Sequence, residues 1–313
     1  MTRSDRRRRG ALVTLALVGG LAAGPLPGTA EAAGTAAFCS MQLGSVTAVG
    51  EHRGQGILAT SPPTMLGDAV GPAEIYAGGV PRLVGPMAHA PATPTGELRG
   101  GWLILGPSMY LSGYITDSTG RATLADTVKL QEVSAGWEDI TAFQTSRYYE
   151  GPKYRHLRMN QYALRDDGVV LRWTIDGNTW RDQRLYRGFT SVKTFTLISQ
   201  TRSYDTFLAN TFNGALYTIR IPVDPTATPV VRPLRGSSWE NFDTLIAERC
   251  GEHGTILLGI DQDTHTGHLY ALAHADGSAT SIQSLGDLPV SLDDPAYFRW
   301  YLDTPQASKL RGE

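Results

Sequence analysis

Three stretches in the middle of the chain share one pattern of apolar positions. Each stretch opens on an aromatic residue, Trp137, Phe189 or Trp239, and carries apolar residues three and six positions later. Those later apolar pairs are Ile140 and Phe143, Val192 and Phe195, and Phe242 and Leu245. β-Branched and aromatic residues are frequent here, and no long helix-forming run occurs. The pattern therefore predicts a β-strand after each aromatic opener, the name used below for these three residues.

Each opener is followed by two further predicted strands that are joined by a tight turn. The second strands are the apolar segments 162–164, 206–209 and 256–260. The turns end in Gly168, Gly214 and Gly267. Asp-Gly and Asn-Gly pairs supply the positive φ that a tight hairpin needs. The third strands start at these glycines and read Gly-Val-Val-Leu, Gly-Ala-Leu-Tyr and Gly-His-Leu-Tyr.

The unit made of an opener and its strands recurs about every fifty residues. The openers are 52 and 50 positions apart, and the turn glycines are 46 and 53 positions apart. Each sheet alone has too little core, so repeated sheets pack face to face around an axis, as in a β-propeller. At this period, residues 33–313 hold five or six units, which we predict to form one all-β domain.

Fainter copies of the unit extend toward the start of the chain. Tyr114 stands six residues before Gly120, just as Tyr162 stands six residues before Gly168, and these two glycines are 48 positions apart. A still looser copy covers residues 73–76. The match predicts that Tyr114, like Tyr162, belongs to the second strand of a unit.

The first 32 residues have the composition of a secretory signal peptide. They begin with five arginines, continue with the apolar core 11–23, and end in the cleavage pattern Ala-Glu-Ala at 30–32. That apolar run is too short to span a membrane, and no later segment approaches the ~20 apolar residues that a span needs. We therefore predict a secreted protein whose mature chain is 33–313.

The chain has two cysteines, Cys39 and Cys250. Pairing is the usual state of two cysteines in an exported protein. The N-terminal strand of a propeller often completes the last blade, which would bring Cys39 to the last clear repeat, where Cys250 lies. A disulfide between them is the favoured prediction, and two buried free thiols are the alternative.

Charge argues against a nucleic-acid partner. The whole chain carries a formal net charge of −2, and its five leader arginines are the densest basic segment. Without that leader, 23 basic residues face 28 acidic ones. Phosphate backbones are bound by clustered Lys and Arg, and no such stripe follows the leader.

Motifs for catalysis or metal binding are weak. The chain has no G-x-S-x-G elbow, no H-E-x-x-H and no phosphate loop. Adjacent carboxylates such as Asp166 and Asp167 are explained by turn chemistry, since glycoside hydrolysis needs two carboxylates on opposite faces of one sugar. The segment 261–268 resembles half a calcium loop, but Leu272 stands where such a loop needs Glu. We read it as a solvated hairpin and predict no metal and no cofactor.

An opener followed by an apolar strand and Gly-x-Leu-Tyr resembles the repeat of tachylectin-2-type β-propeller lectins. The resemblance covers residues 137–270 well and the first hundred residues poorly. It implies five blades, with sugar sites between neighbouring blades. The chain departs from the pattern where Phe189 replaces Trp and where residues 261–266 are inserted. These departures bear on how many sugar sites function.

The repeated aromatic residues are the candidate sugar-binding residues. Sugar rings pack their apolar C–H faces on aromatic side chains, and their hydroxyls need planar hydrogen-bonding partners. The candidates are Trp137, Phe189, Trp239, Tyr217 and Tyr270. The alternative is that they pack the blades, the commoner role of a large aromatic at a repeat position. The non-repeating tryptophans, which the sequence does not rank, are Trp102, Trp173, Trp180 and Trp300.

These observations favour a secreted carbohydrate-binding propeller that attaches to glycans or a glycoconjugate surface through several weak sites. One alternative is an extracellular propeller enzyme, a hydrolase or lyase acting on a polysaccharide or peptide. Another is a scaffold that binds an extracellular protein through its loops. Fold alone does not separate these functions. The absence of a catalytic motif favours binding over catalysis.

Overall fold

The computed structural model describes residues 39–313, without 74, 77–78, 92, 125–126, 151–154 and 178. The predicted signal peptide lies outside these residues. The described chain is all-β, with 21 strands, one short α-helix and one 3₁₀ turn at Gly277–Ala279. No helix in this part of the chain is long and apolar enough to cross a membrane.

The strands are β1 (Ser40–Val46), β2 (His52–Leu58), β3 (Thr64–Val70), β4 (Leu83–Val84), β5 (Met87–His89), β6 (Leu98–Leu105), β7 (Ser108–Ile115), β8 (Lys129–Ala135), β9 (Ile140–Glu150), β10 (Arg155–Arg165), β11 (Val170–Asp176), β12 (Thr179–Tyr186), β13 (Val192–Gln200), β14 (Tyr204–Thr211), β15 (Leu216–Pro222), β16 (Val230–Arg235), β17 (Thr244–Cys250), β18 (Gly254–Asp261), β19 (Thr266–Leu272), β20 (Ile282–Asp287) and β21 (Ala296–Leu302), and the helix is α1 (Pro305–Ser308).

Three separate four-stranded sheets contain the repeat that the sequence shows. They are β9 to β12, β13 to β16 and β17 to β20, and each is antiparallel with its strands side by side in chain order. The openers Trp137, Phe189 and Trp239 each precede a first strand. The Gly-x-Leu-Tyr phrases lie at the start of the third strands β11, β15 and β19. The predicted order of opener, strands and hairpin is confirmed in these sheets.

The remaining strands form one sheet in the order β3-β2-β1-β21-β5-β6-β7-β8, with β4 beside β6. Among the described strands, the pairing of β21 with β5 is the one parallel pairing. It separates the antiparallel group β21-β1-β2-β3 from the group β5 to β8. The last strand of the chain is therefore the first strand of a group that the three N-terminal strands complete.

The innermost strands of these groups surround a narrow central space. In the β5 to β8 group, β4 and β5 both pair with β6 and share the innermost position. β9 contacts β13, β13 contacts β17, β17 contacts β21, β21 contacts β4 and β5, and β4 contacts β9, which closes the circle. The space is lined by residues of β4, β9, β13, β17 and β21. Four-stranded sheets arranged around an axis in closed order are a β-propeller, as the repeat predicts.

Contacts between neighbouring sheets explain why the repeat has a glycine. The amide of Phe189 donates to the carbonyl of Gly168, and the amide of Trp239 donates to the carbonyl of Gly214, both at 3.1 Å. Each opener thus rests on the hairpin turn of the preceding sheet. Gly168 has a φ of +75°, and a Cβ there would lie 2.2 Å from the backbone nitrogen of Thr190. Glycine is therefore required for both the turn and the close approach.

The match of Tyr114 with Tyr162 is wrong. Tyr114 lies in β7, the third strand from the axis in its group, whereas Tyr162 lies in β10, a second strand. The counterpart of the Gly168 turn is the β6–β7 turn, where Gly106 has a φ of +54°. The amide of Trp137 donates to Pro107 of that turn at 2.8 Å, as other openers do to theirs. Because this unit is irregular, the sequence match pairs Tyr162 of a second strand with a residue of a third strand.

The predicted disulfide is confirmed: Cys39 is bonded to Cys250, with their Cα atoms 5.3 Å apart. Cys39 immediately precedes β1, and Cys250 ends β17. The bond joins two neighbouring strand groups rather than two strands of one sheet, because β1 pairs with β21. Both cysteines are 8% exposed and lie in one apolar cluster with Met41 and Ile256. The bond therefore lies within the packed layer between the two groups.

Candidate functional site

The three openers are buried between sheets. Trp137, Phe189 and Trp239 are 4%, 7% and 5% exposed, and each belongs to an apolar cluster that spans neighbouring sheets. Tyr217 and Tyr270 lie on the third strands β15 and β19 and are half-buried. The structure therefore does not bring the five candidate residues into one site. It places them at repeated positions around the propeller.

Around Trp239, other aromatic rings occupy the space next to the indole. The Trp239 and Tyr270 rings are 4.5 Å apart between centroids with a 37° angle between planes, and Phe242 lies 5.7 Å from the indole. The phenol of Tyr270 also packs on His268 at 4.6 Å. Burial raises the pKa of Tyr270. Contacts of this kind are worth roughly 0.5–1.5 kcal/mol each beyond buried area, so they hold these rings together as packing.

Trp137 differs because it lines a groove. The groove has a volume of about 690 Å³ and lies between β8 of one group and β11 and β12 of the next sheet. Trp173 lies 5.3 Å from the Trp137 ring at 38°, and Trp180 lies 5.7 Å from it at 81°. Trp173 and Trp180 are 5.6 Å apart at 63°. We call this site, defined by the three indoles, the tryptophan groove.

The hairpin of β11 and β12 explains why Trp173 and Trp180 meet. Ile175 pairs with Trp180, and Trp173 lies two residues from Ile175, so both indoles project from the same face of the hairpin. Thr174 pairs with Arg181 whereas Arg172 pairs with Arg184, so two residues of β12 lie opposite Trp173, one more than regular pairing allows. A bulge of this kind twists a strand locally and changes the direction of its side chains. Both indoles are half-buried.

Polar groups surround the three indoles. The Trp137 Nε1–H donates to Ser134 Oγ at 2.8 Å, which fixes the ring edge of this opener. The groove is also lined by Asp139, Arg165, Thr179 and Gln183. The Arg165 guanidinium is hydrogen-bonded to Asp167 just outside the groove, and it lowers the pKa of that carboxyl. Aromatic faces beside planar amide, carboxylate and guanidinium groups are the combination that sugar rings and hydroxyls need.

No group of three or more His, Cys, Asp or Glu side chains in the described part of the chain is placed to hold a metal ion. In the segment 261–268, the Asp261 carboxylate accepts from the amides of Asp263 and Thr264 at 3.0 and 3.1 Å. These bonds form a turn that links β18 to β19, and residues 262–266 are exposed. The segment is the solvated hairpin that the sequence favours.

Comparisons with known proteins find remote structural likenesses. No protein-family model matches the chain, and no curated protein matches it significantly. An α-L-arabinofuranosidase from Podospora anserina in complex with cellotriose matches with a TM-score of 0.42 and 10% identity over 73% of this chain and 75% of that chain. Two structures of the Aleuria aurantia lectin, a six-bladed β-propeller, match with a TM-score of 0.41 and 11% and 10% identity over 80% of each chain. Likenesses this weak carry no argument about blade number, ligand or activity.

Sequence reasoning found one of the three groove tryptophans. Trp137 stands at a repeated position, but Trp173 and Trp180 do not recur in other units. A usable signal was present, because the two flank Asp176 and Gly177, a turn sequence. In a hairpin at this turn, the strands that contain Trp173 and Trp180 pair with each other. That pairing predicts that the two indoles lie close together on one face of the sheet.

Proposed function

We propose that this chain is a secreted five-bladed β-propeller that binds carbohydrate at the tryptophan groove. Three observations on the strands support five blades. Three sheets are separate and four-stranded, the parallel pairing of β21 with β5 divides the remaining sheet into two groups, and five first-strand positions close the circle. This is the blade number that the resemblance to tachylectin-2-type lectins implies. Export is supported by the composition of residues 1–32 and by the Cys39–Cys250 disulfide.

The single observation that carries the ligand proposal is the convergence of three indoles on one groove between two sheets. Trp173 and Trp180 retain exposed surface on which a sugar ring can stack, whereas Trp137 supports them from the interior. Gln183 and Asp139 are exposed beside them and can bond sugar hydroxyls. We assign Phe189, Trp239, Tyr217 and Tyr270 to packing between and within sheets. The proposal is therefore one principal site rather than a ring of equivalent sites.

Binding is favoured over hydrolysis at this groove. Among the described residues that line it, Asp139 is the one carboxylate. Glycosidases of the usual kind place two carboxylates on either side of the scissile bond. One carboxylate among aromatic rings suits recognition of a hydroxyl. The groove therefore supports a lectin-like role.

The test is a glycan array with the mature chain, residues 33–313, followed by free-sugar competition. We expect binding to a defined set of glycans. Trp180→Ala should weaken that binding about tenfold or more, because removing an aromatic side chain costs roughly 1–3 kcal/mol for a base stacked on it, and we expect a similar loss for a stacked sugar ring. Phe212→Ala is the control, since Phe212 is 65% exposed and lies in the β14–β15 turn of a different sheet.

Two outcomes would contradict the proposal. Folded, disulfide-bonded protein that binds no glycan would remove carbohydrate recognition altogether. Glycan binding that survives Trp180→Ala but is lost in Tyr217→Ala would assign recognition to the repeated aromatics instead. Each variant must have the same thermal unfolding temperature as the wild type, so that a loss of binding cannot result from a loss of fold.

A further inference from the structure

A second cleft lies where the first strands end and shares no lining residue with the tryptophan groove. This end cleft has a volume of about 690 Å³ and is bounded by the ends of β5, β17 and β21 together with β1 and the loop after β7. The ionisable side chains that line it are His89, Glu97, Arg99, Arg121, Glu248 and Arg249. They come from the β5 to β8 group and from β17, and uncharged residues of the group β21-β1-β2-β3 complete the lining, so the cleft exists only in the assembled propeller.

The two carboxylates of the end cleft are already paired. Glu97 accepts from Arg99 Nε at 2.7 Å. Glu248 accepts from Arg299 Nε at 2.8 Å and from Arg299 Nη2 at 2.9 Å, a bidentate pair. The Arg99 guanidinium also lies 4.8 Å from the ring centroid of Trp300. These contacts neutralise the acidic groups and hold them in fixed orientations.

Two arginines of the cleft remain without such a partner. Arg121 is exposed, and Arg249 is half-exposed with its Nε–H donating to the carbonyl of Gly251 at 2.6 Å. In the part of the chain that the structure describes, neither guanidinium lies within ion-pair distance of a carboxylate. Both therefore contribute uncompensated positive charge to the cleft.

Further cations adjoin Arg249. It also lines a neighbouring cleft of about 340 Å³ together with Lys309 and Arg311. Burial lowers the pKa of Lys309, the charges of Arg311 and Arg249 lower it further, and the charge of Glu150, which also lines this cleft, offsets them in part. The Lys309 ammonium lies 5.4 Å from the Tyr148 ring centroid. Cations that crowd one another in this way favour an anion between them, because it relieves their repulsion.

We propose that the end cleft binds a polysaccharide whose sugars carry carboxylates, such as a chain of uronic acids. Its unpaired guanidiniums, together with the Lys309 ammonium of the neighbouring cleft, bond the carboxylates of the ligand. Its paired carboxylates, Glu97 and Glu248, keep free lone pairs that accept from sugar hydroxyls. The site is separate from the tryptophan groove.

The mixture of positive and negative side chains explains why a sugar acid fits better than a nucleic acid. A nucleic acid carries one phosphate charge for every few ångströms of its length, and its binding proteins need dense Lys and Arg. Here the cations Arg121, Arg249 and Lys309 share the two clefts with the carboxylates Glu97, Glu248 and Glu150. Those carboxylates would repel a dense row of phosphates. A uronate chain has one charge per ring and neutral hydroxyls between the charges, which suits a lining of mixed charge.

The test measures binding of the mature chain to polygalacturonate by calorimetry, with fully methyl-esterified polygalacturonate as the uncharged counterpart. We expect binding to the acid form alone. Affinity should fall steeply when NaCl is raised from about 0.05 to about 0.5 M, because salt screens exposed charges. Equal binding to both forms would overturn the proposal, and so would absence of binding to either.

Variants locate the site. The double variant Arg121→Gln/Lys309→Gln should bind polygalacturonate about tenfold more weakly. Arg181→Gln/Arg232→Gln removes the same charge from the outer strands β12 and β16, where these side chains are 53% and 47% exposed, and should have little effect. Equal loss in both double variants would mean a nonspecific charge effect and would overturn the assignment.

Two further arms separate the alternatives. Single-stranded DNA or dextran sulfate that binds at least as tightly as polygalacturonate would show a general polyanion or sulfate site and would contradict the carboxylate assignment. Trp180→Ala should leave polygalacturonate binding unchanged. The Trp180→Ala measurement therefore distinguishes failure of the tryptophan-groove proposal from failure of the end-cleft proposal.

Discussion

His52 shows how one side chain makes stability depend on pH. It is fully buried on β2, and its two ring nitrogens contact the hydroxyls of Tyr76 and Tyr114. A neutral imidazole has one donor and one acceptor, so it donates to one tyrosine and accepts from the other. Burial lowers the pKa of His52 to about 3, with a smaller contribution from the charge of Arg99. The folded protein thus keeps this histidine neutral in acid.

The consequence is a loss of stability below neutrality. In the unfolded chain His52 has a pKa near 6.5, so below that pH the unfolded state binds a proton that the folded state does not. The free energy of unfolding should therefore fall between pH 6.5 and about 3, at up to about 1.4 kcal/mol per pH unit from this residue. Above that range His52 contributes no pH dependence.

Urea denaturation at several pH values measures this effect. His52→Gln removes the titrating group and keeps an amide that can bond one tyrosine, so its stability should vary less with pH than that of the wild type. The variant will be less stable at neutral pH, but only the slope matters. Parallel curves for the two proteins would show that His52 does not titrate in the expected way.

At the scale of elements, the contact between an opener and the preceding hairpin should limit substitution at its glycine. Gly168→Ala forces a side chain into the left-handed region and against the backbone nitrogen of Thr190. Gly188 is the matched control, because its φ is +101° and nothing lies within 4 Å of a Cβ there. Gly188→Ala should cost about 1–2 kcal/mol of unfolding free energy from conformation alone. Gly168→Ala should cost clearly more, because the neighbouring sheet must also move.

Chemical denaturation of the two variants at one pH compares these costs directly. Similar losses for both would mean that the neighbouring sheet yields without cost, and that the glycine is needed for the turn alone. The comparison also reports on the repeat itself, because Gly214 has the same role against residues 238–240.

The same contacts explain what the sequence could and could not predict about the elements. Between Trp137 and Tyr270 the apolar pattern and the period agree, and the strands lie where they are predicted, but the third turn ends before Thr266 and Gly267, which are already part of β19. Before Trp137 the units are irregular: β4 and β5 are only two and three residues long, and the β6–β7 turn uses Gly106 and Pro107 instead of an Asp-Gly or Asn-Gly pair. A repeat that varies its turn and strand lengths loses the spacing on which detection depends.

The candidate sites, like the strands, can be predicted from the sequence only where their residues repeat. Trp137 could be predicted because it repeats, whereas Trp173 and Trp180 come together through a bulged hairpin that occurs in one sheet. The cations of the end cleft are even less visible in the sequence. Arg121 and Arg249 line the end cleft, Arg249 and Lys309 line the cleft beside it, and these residues, far apart along the chain, come together only because the propeller closes.

For the whole molecule, the Cys39–Cys250 bond is the main covalent restraint. It closes a loop over a sequence separation of 211 residues. In the chain-entropy account, a loop this long stabilises the folded state by roughly 5 kcal/mol, as an upper figure. Cys39→Ser/Cys250→Ser should therefore lower the free energy of unfolding by about 3–5 kcal/mol.

Guanidinium denaturation of the oxidised protein, the reduced protein and the double variant measures this contribution. The reduced protein and the variant should behave alike, since both lack the bond. A double variant as stable as the oxidised protein would mean that the strand pairing of β1 with β21 is sufficient to hold the circle closed.

The pairing of β1 with β21 also fixes the order in which the chain can complete its fold during synthesis. Leu43 on β1 pairs with Arg299 on β21, so the hairpins β1 to β3 are made long before their partner strand exists. Until β21 emerges, β1 presents an unpaired edge that can associate with other chains. Pairing over such a sequence separation is slow to form. Sheets β9 to β12, β13 to β16 and β17 to β20, each made of one continuous segment, can form first and serve as the surface on which the circle closes.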